Sequence, residues 1–125
     1  MADIFIDVNY LIDLTSDPEK SKEIQFLDTH TLYLSTLTCH ILFYVKKIGV
    51  PNEEVNSFLD EFKFIPLSEP IMKASCIGPL ADFEDNVQLH SAAEANCSYF
   101  LTYDRGLLNM KFFGKMMIVS ELPKN

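Results

Sequence analysis

The chain has 125 residues, of which 48% are hydrophobic and 22% are charged, and its formal net charge is −8. This size suits one compact domain, so we expect residues 1–125 to form a single domain. The negative charge argues against a broad electrostatic nucleic-acid binder, because such affinity comes from Lys and Arg contacts with phosphates and Arg105 is the only arginine.

The sequence does not have the features of a membrane or secreted protein. No apolar run approaches the ~20 residues that a membrane-spanning helix needs. The first residues carry Asp3 and Asp7 in place of the basic charges of a signal peptide. Three widely spaced cysteines disfavour a disulfide framework or a zinc site. We therefore expect a cytoplasmic protein in a reducing environment.

Short apolar segments alternate along the chain with segments of helical character. We predict strands at DIFID (3–7), TLYLS (31–35), KFIPL (63–67), SYFLTY (98–103) and KMMIVS (115–120). We predict helices at VNYLIDL (8–14), SDPEKSKEIQFLDT (16–29), TLTCHILFYVKKIG (36–49), PNEEVNSFLDEF (51–62), EPIMKASC (69–76) and DFEDNVQLHSAAEAN (82–96). DRGLLNM (104–110) is either a turn or a short helix. Gly49 is the expected stop of the 36–49 helix.

This alternation predicts an α/β fold. Strands separated by helices form right-handed crossovers, which give a parallel sheet covered by helices on both faces. We therefore predict a three-layer α/β/α sandwich with a central, mostly parallel sheet of about five strands. Ligands of such sheets bind at the carboxyl ends of the strands.

Acidic residues occur where the predicted elements reach that edge of the sheet. Asp7 ends the first strand and Asp104 follows the fourth, whereas Asp82 and Asp85 begin the helix that leads into the fourth strand. The start of that helix lies at the same sheet edge as the end of the strand, because the two elements run antiparallel. The topology therefore predicts that these four carboxylates converge.

Each acid also has a simpler explanation. Asp82 fits an N-cap, Asp7 fits a cap for the helix after it, and Asp104 lies in a sequence typical of turns. Asp85 fits capping less well, since it shares a helical face with the predicted core residues Leu89, Ala92, Ala93 and Asn96. His90, which follows Leu89, falls on the predicted outer face of the same helix.

If Asp7, Asp85 and Asp104 converge, their mutual repulsion requires either protons or a cation. Two unit charges ~5 Å apart repel by roughly 3 kcal/mol at an effective dielectric constant of 20. An all-oxygen carboxylate site suits Mg²⁺ or Mn²⁺. Such an ion activates water and stabilises the transition state of phosphoryl transfer.

The sequence resembles the PIN-domain family, and most closely the small bacterial PIN proteins that include VapC-type toxins. IFIDVNYLIDL resembles the first strand and helix of PIN domains, with an Asp, one residue and an Asn. DFEDNVQLHSAAEANCSYFLTYDRGL resembles the PIN signature, in which an Asp opens an Ala-rich helix and a strand ends in Thr, one residue and Asp. The resemblance covers nearly the whole chain.

The resemblance implies a metal-dependent endoribonuclease that cuts single-stranded or looped RNA, with Mg²⁺ or Mn²⁺ as cofactor. It assigns Asp7, Asp85 and Asp104 as catalytic metal ligands, Asn9 as a supporting hydrogen-bonding residue, and Asp82 as an extra ligand or a cap. It also implies an antitoxin protein as partner and a homodimer or higher oligomer. The alternative is a catalytically degenerate PIN domain that binds RNA or protein.

One departure from the family supports that alternative. PIN domains usually carry a Glu three residues after the Thr that begins the third helix, and here that position is Ile41, counted from Thr38. The adjacent His40 is directed about 100° away around the helix. The site would then have three acids, recruit Asp82 or Glu84, or be inactive.

Overall fold

The computed structural model describes residues 1–16 and 29–123. The helix predicted for residues 16–29 consists mostly of residues 17–28, which lie outside the described residues. The described elements, in chain order, are β1 (Asp3–Ile6), α1 (Val8–Ser16), β2 (Thr31–Ser35), α2 (Thr36–Val45), α3 (Glu53–Leu59), β3 (Lys63–Ile65), α4 (Glu69–Ile77), α5 (Phe83–Glu94), β4 (Tyr99–Leu101), α6 (Arg105–Met110), β5 (Phe112–Phe113) and β6 (Met116–Val119).

The strands form one sheet in the order β3-β2-β1-β4-β6-β5. Neighbouring strands are parallel except for β5 and β6, which are antiparallel. The predicted α/β class and mostly parallel sheet are therefore confirmed. The sheet has one strand more than expected, because β5 is only two residues long and joins β6 through a tight turn in which Gly114 has φ 61°.

Helices cover both faces of this sheet. Alternate residues of β1 point in opposite directions, so Ile4 and Ile6 enter one apolar cluster and Phe5 enters the other. The first cluster packs against α1 and α2 and includes Leu11, Leu14, Leu34, Leu42 and Leu101. The second packs against α4 and α5 and includes Ile71, Val87, Leu89, Phe100 and Ile118. These two clusters make the three layers.

The buried surface of helix α5 only partly matches the predicted core face. Leu89 and Ala92 are buried as expected, but Ala93 and Asn96 are exposed, while the polar residues Asn86, Gln88 and Ser91 are buried. The reason is that α5 packs against both the sheet and α4, which covers a wider part of its surface. His90, predicted to face solvent, is half-buried and makes a hydrogen bond with the Gly78 carbonyl at 2.8 Å.

Asn86 joins α5 to the segment that precedes it. Its side-chain oxygen accepts a hydrogen bond from Leu80 N at 2.9 Å, and its Nδ2 donates to the carbonyl oxygens of Ser75 and Leu80 at 2.9 and 2.8 Å. These bonds satisfy backbone groups that α4 and the following turn would otherwise leave unpaired. They hold residues 78–82 against the start of α5.

Helix α2 ends earlier than predicted. Lys47, and not Gly49, adopts the left-handed conformation (φ 52°) that closes the helix. Ile48 N then donates to Phe43 O at 3.0 Å, and Lys47 N donates to Tyr44 O at 3.3 Å. This Schellman arrangement turns Ile48 onto the first cluster, and that contact selects the position of the stop.

No helix within residues 1–16 and 29–123 is long and apolar enough to span a membrane. All three cysteines, Cys39, Cys76 and Cys97, are free thiols in this structure.

We expect Asn86→Ala to lower the free energy of unfolding by about 2–4 kcal/mol, because it leaves several buried backbone groups without partners. Urea unfolding followed by circular dichroism measures this change. The exposed Asn56→Ala in α3 is the matched control, and it should change stability by less than about 0.5 kcal/mol. Equal stability of the two variants would contradict the structural role of Asn86.

Candidate functional site

The order of the strands creates a crevice between β1 and β4. The chain leaves β1 through α1 toward β2 on one side of the sheet, and it leaves β4 through α6 toward β6 on the other side. The loops that follow β1 and β4 therefore diverge and open a space between them. Such a switch point is the usual ligand-binding position in parallel α/β sheets.

Asp7 is the first residue beyond β1, and it lies in this crevice with only 1% of its surface exposed. Its backbone N–H donates to Leu101 O at 3.0 Å, which continues the pairing between β1 and β4. Its Oδ2 accepts a hydrogen bond from Thr102 Oγ1 at 2.8 Å. Its Oδ1 is buried and has no hydrogen-bond partner. A buried carboxylate oxygen without a partner is costly and therefore marks a candidate ligand position.

Thr102 connects Asp7 with Asp104. Its hydroxyl donates to Asp7 and accepts from Asp104 N at 3.0 Å, while its own N–H donates to Val119 O at 3.0 Å. Thr102 lies in the segment that resembles the PIN signature, and its role at the site was not predicted from the sequence. The local signal was present, because a Thr two residues before an acid at a strand end is typical of a turn closed by its hydroxyl.

Asp104 is the N-cap of α6, where its Oδ1 accepts from Leu107 N at 2.9 Å. Gly106 permits this approach, since a Cβ there would lie 3.1 Å from the same oxygen. The cap uses one oxygen of a carboxylate that is half-buried. Of the two predictions for residues 104–110, a turn or a short helix, the short helix is therefore the correct one, and capping occupies one oxygen of Asp104.

The start of α5 contributes the other acids. Asp82 is its N-cap, and Asp82 Oδ1 accepts from Asp85 N at 2.9 Å. Asp82 and Glu84 are exposed, whereas Asp85 is half-buried. Capping thus accounts for Asp82, and Asp85 is the member of this group that turns toward the protein. Asn9, at the start of α1, has an exposed side chain.

Electrostatic coupling connects these acids. Burial raises the pKa of Asp7 to about 6, and repulsion by Asp104 and Asp82 adds to the rise against the opposing hydrogen bond from Thr102 and the nearby Val8 N–H. Burial also raises the pKa of Asp85 to about 7, with further contributions from Asp82, Asp7 and Asp104. The carboxyl groups from β1, α5 and α6 therefore share one region of negative potential.

The chemistry of the oxygen donors in this region suits a hard divalent cation. It consists of carboxylate oxygens, including the unpartnered Asp7 Oδ1, which are the ligands that Mg²⁺ and Mn²⁺ prefer. No three His, Cys, Asp or Glu side chains in residues 1–16 and 29–123 are already arranged to hold one ion. Side-chain rotation would therefore have to accompany the binding of a metal.

Helix α2 brings no acid to this region. Its first turn contains none, Ile41 is half-buried and His40 is exposed. Instead, Thr38 Oγ1 donates to Gln88 Oε1 at 3.2 Å, which joins α2 to α5 one turn after Asp85. Gln88 Nε2 is buried without a partner. Sequence reasoning missed Gln88, since nothing local distinguishes it from a surface glutamine.

Two tyrosines flank the acids. Tyr10, on α1, and Tyr103, between Thr102 and Asp104, stack with ring centroids 4.4 Å apart and an interplanar angle of 20°. Tyr10 is 5% exposed and belongs to the first core cluster, whereas Tyr103 is 37% exposed.

The fold, but not the sequence, has a known counterpart. No family model matches the chain, and no curated protein matches it. Among solved structures, the chain is similar to a chain in the crystal structure of VapBC2 from Rickettsia felis bound to a DNA fragment from their promoter. The TM-score is 0.66 over 94% of this chain and 97% of that chain, at 13% sequence identity. This likeness shows that the two chains share a fold.

In the presence of a chelator, we expect Asp7→Asn to be more stable than the wild type at pH 8 by about 2–3 kcal/mol. The Asp7 carboxyl keeps its proton up to about pH 6 in the folded state, whereas an aspartate carboxyl has an ordinary pKa of 3.8. Its destabilising effect therefore develops as the pH rises from about 4 to about 6, and it is nearly absent at pH 4.

Urea unfolding at pH 4 and pH 8 measures this difference. Asp60→Asn, at an exposed position that ends α3, is the control and should show no comparable gain. An Asp7→Asn variant that is less stable than the wild type at pH 8 would contradict the proposed repulsion.

Proposed function

We propose that this protein is a PIN-type ribonuclease that uses Mg²⁺ or Mn²⁺ to hydrolyse phosphodiester bonds of single-stranded or looped RNA, as the toxin of a toxin–antitoxin pair. The observation that carries the proposal is the buried Asp7 carboxylate at the switch point, with one oxygen unpartnered. Asp104 and Asp82 act on it electrostatically, and Asp7 in turn acts on Asp85. Such an arrangement costs stability and is typical of functional sites.

In this proposal, Asp7, Asp85 and Asp104 hold the metal, and Asp82 and Asn9 support it. The bound ion would supply a water of lowered pKa and positive charge for the phosphate. Thr102 restrains Asp7 through its hydrogen bond to Oδ2, and the buried Oδ1 would be the oxygen left for the metal. The α6 cap restricts Asp104 in the same way. These two contacts would restrain Asp7 and Asp104, and side-chain rotation on metal binding would complete the site.

A metal also resolves the conflict between an acidic protein and an anionic substrate. The net charge of −8 repels RNA, and the only arginine, Arg105, follows Asp104 directly and is exposed. We infer that RNA contacts are local, through the metal and Arg105, and that electrostatic attraction over a wide surface is absent.

The antitoxin and the oligomer belong to the same proposal. The similar structure from Rickettsia felis is named as VapBC2 with a promoter DNA fragment. On this chain, Tyr44, Val45 and Val50 lie near the end of α2 and are 78%, 52% and 81% exposed. Exposed apolar side chains of this kind support an association surface. The protein would act in the cytoplasm, where its three free thiols stay reduced.

The nuclease proposal predicts metal-dependent cleavage of structured RNA that Asp7→Asn and Asp85→Asn each reduce by about 100-fold or more, because each removes a ligand charge. Gel analysis of labelled RNA with Mg²⁺, Mn²⁺ or EDTA measures the rates. Asp60→Asn, far from the crevice, should cleave at the wild-type rate. The proposal fails if cleavage is absent with both metals, or if it survives both substitutions.

A second candidate function is a degenerate PIN domain that binds RNA or protein without cutting. The absence of any acid from α2 (TLTCHILFYV), with Ile41 at the position of the expected Glu, favours it. In this case Asp7, Asp85 and Asp104 would remain as structural caps and buried groups, and the crevice would bind no catalytic ion.

Ile41→Glu distinguishes the two candidates. If the site binds metal, we expect the added carboxylate to tighten Mn²⁺ binding by about 10-fold or more and to raise the cleavage rate. Isothermal titration and the cleavage assay measure both effects, and Ile41→Gln controls for the loss of the apolar side chain. An active wild type that Ile41→Glu fails to improve would show that three acids suffice.

A further inference from the structure

The stacked tyrosines at the edge of the acidic site form a preorganised aromatic surface. Tyr10 covers one face of the Tyr103 ring, and 37% of Tyr103 remains exposed. Tyr10 itself is buried in the first core cluster, and it cannot move without disturbing that cluster. The Tyr103 ring therefore rests on a rigid support.

The backbone of Tyr103 is restrained by the residues on both sides. Thr102 N donates to Val119 O, and Asp104 N donates to Thr102 Oγ1, each at 3.0 Å. Asp104 then caps α6. The same contacts that position Asp7 and Asp104 therefore also restrain the backbone of Tyr103. A ligand that uses this ring would lose little affinity to the ordering of the side chain.

The charge of the protein restricts which ligand contact is effective here. With a net charge of −8 and one arginine, the chain cannot obtain much RNA affinity from phosphate contacts. Stacking of a base on an aromatic ring does not require protein charge, and it contributes ~1–3 kcal/mol per base. Only an unpaired base presents a free face to such a ring.

We propose that Tyr103 is a substrate-positioning residue that stacks an unpaired nucleobase next to the phosphate held at the acidic site. This inference rests on the proposed ribonuclease function. It adds a requirement on the position of the cleaved bond within such an RNA. The nucleotide beside that bond must be single-stranded or turned out of a helix. Arg105, two residues after Tyr103, is then in a position to contact the neighbouring phosphate.

The test compares an RNA with an oligonucleotide that lacks bases. Binding of a mixed-sequence 12-nucleotide single-stranded RNA, and of a 12-unit abasic ribose phosphate, is measured by fluorescence anisotropy with Mn²⁺ in the Asp85→Asn background. Cleavage of the same RNA is measured with Asp85 intact. We expect Tyr103→Leu to weaken RNA binding and to lower kcat/KM by about 5- to 150-fold. Binding of the abasic oligonucleotide should not change.

Two control variants separate stacking from other effects. Tyr103→Phe keeps the ring and should retain binding within about threefold, because stacking does not need the hydroxyl. Phe112→Leu, which removes an aromatic ring that is 53% exposed on the edge strand β5, should have no effect. Circular dichroism and urea unfolding of each variant confirm that it is folded.

Each remaining outcome identifies which idea fails. If the wild type cleaves RNA and Tyr103→Leu leaves the rate and the affinity unchanged, the stacking role is wrong and the ribonuclease remains. If Tyr103→Leu weakens RNA and abasic binding equally, the residue acts through the structure of the site, and the stacking role is again wrong. If the wild type neither binds nor cleaves RNA, the proposed function fails and this inference fails with it.

Discussion

The hydrogen bond from Thr102 to Asp7 is the contact on which the acidic site depends. It joins residues that are 95 positions apart in the chain, across the two central strands of the sheet. The same hydroxyl accepts the N–H of Asp104, so a single side chain sets the relative positions of two acids. This contact forms only after β1 and β4 have paired, because the two strand ends must already be adjacent. The site is therefore a consequence of the central strand pair.

The acids are arranged at a cost to stability. Burial and mutual repulsion raise the pKa values of Asp7 and Asp85, and the buried Oδ1 of Asp7 has no hydrogen-bond partner among the described residues. A core that served stability alone would place an apolar or neutral residue there. Destabilising contacts of this kind are common at sites where a bound ligand supplies the missing interaction. The rest of the fold must then offset their cost. The two tightly packed clusters on either side of the sheet provide that offset.

The parts of the fold that the sequence predicted are those with local signals. The apolar segment before Asp7, the cap at Asp82 and the strand before Asp104 follow from hydrophobic pattern and capping chemistry, and together they locate the sheet edge. The strand β5 could not be predicted, since two residues carry no periodicity. The buried Asn86 and Gln88 were also missed, because their partners, Ser75 and Thr38, are set by helix packing. The role of Thr102 requires knowing that its strand lies beside β1.

The three residues from Thr102 to Asp104 perform three different tasks in three different directions. The first bonds across the sheet, the second stacks on α1, and the third caps α6. Successive side chains near a strand end alternate in direction, so inserting or deleting one residue here would exchange these directions. This segment therefore cannot change its length by one residue. The surface connection between α2 and α3, whose exposed residues include Gly49 and Val50, has no such restriction. Length variation between related chains should accordingly collect in the connection and be absent from the segment.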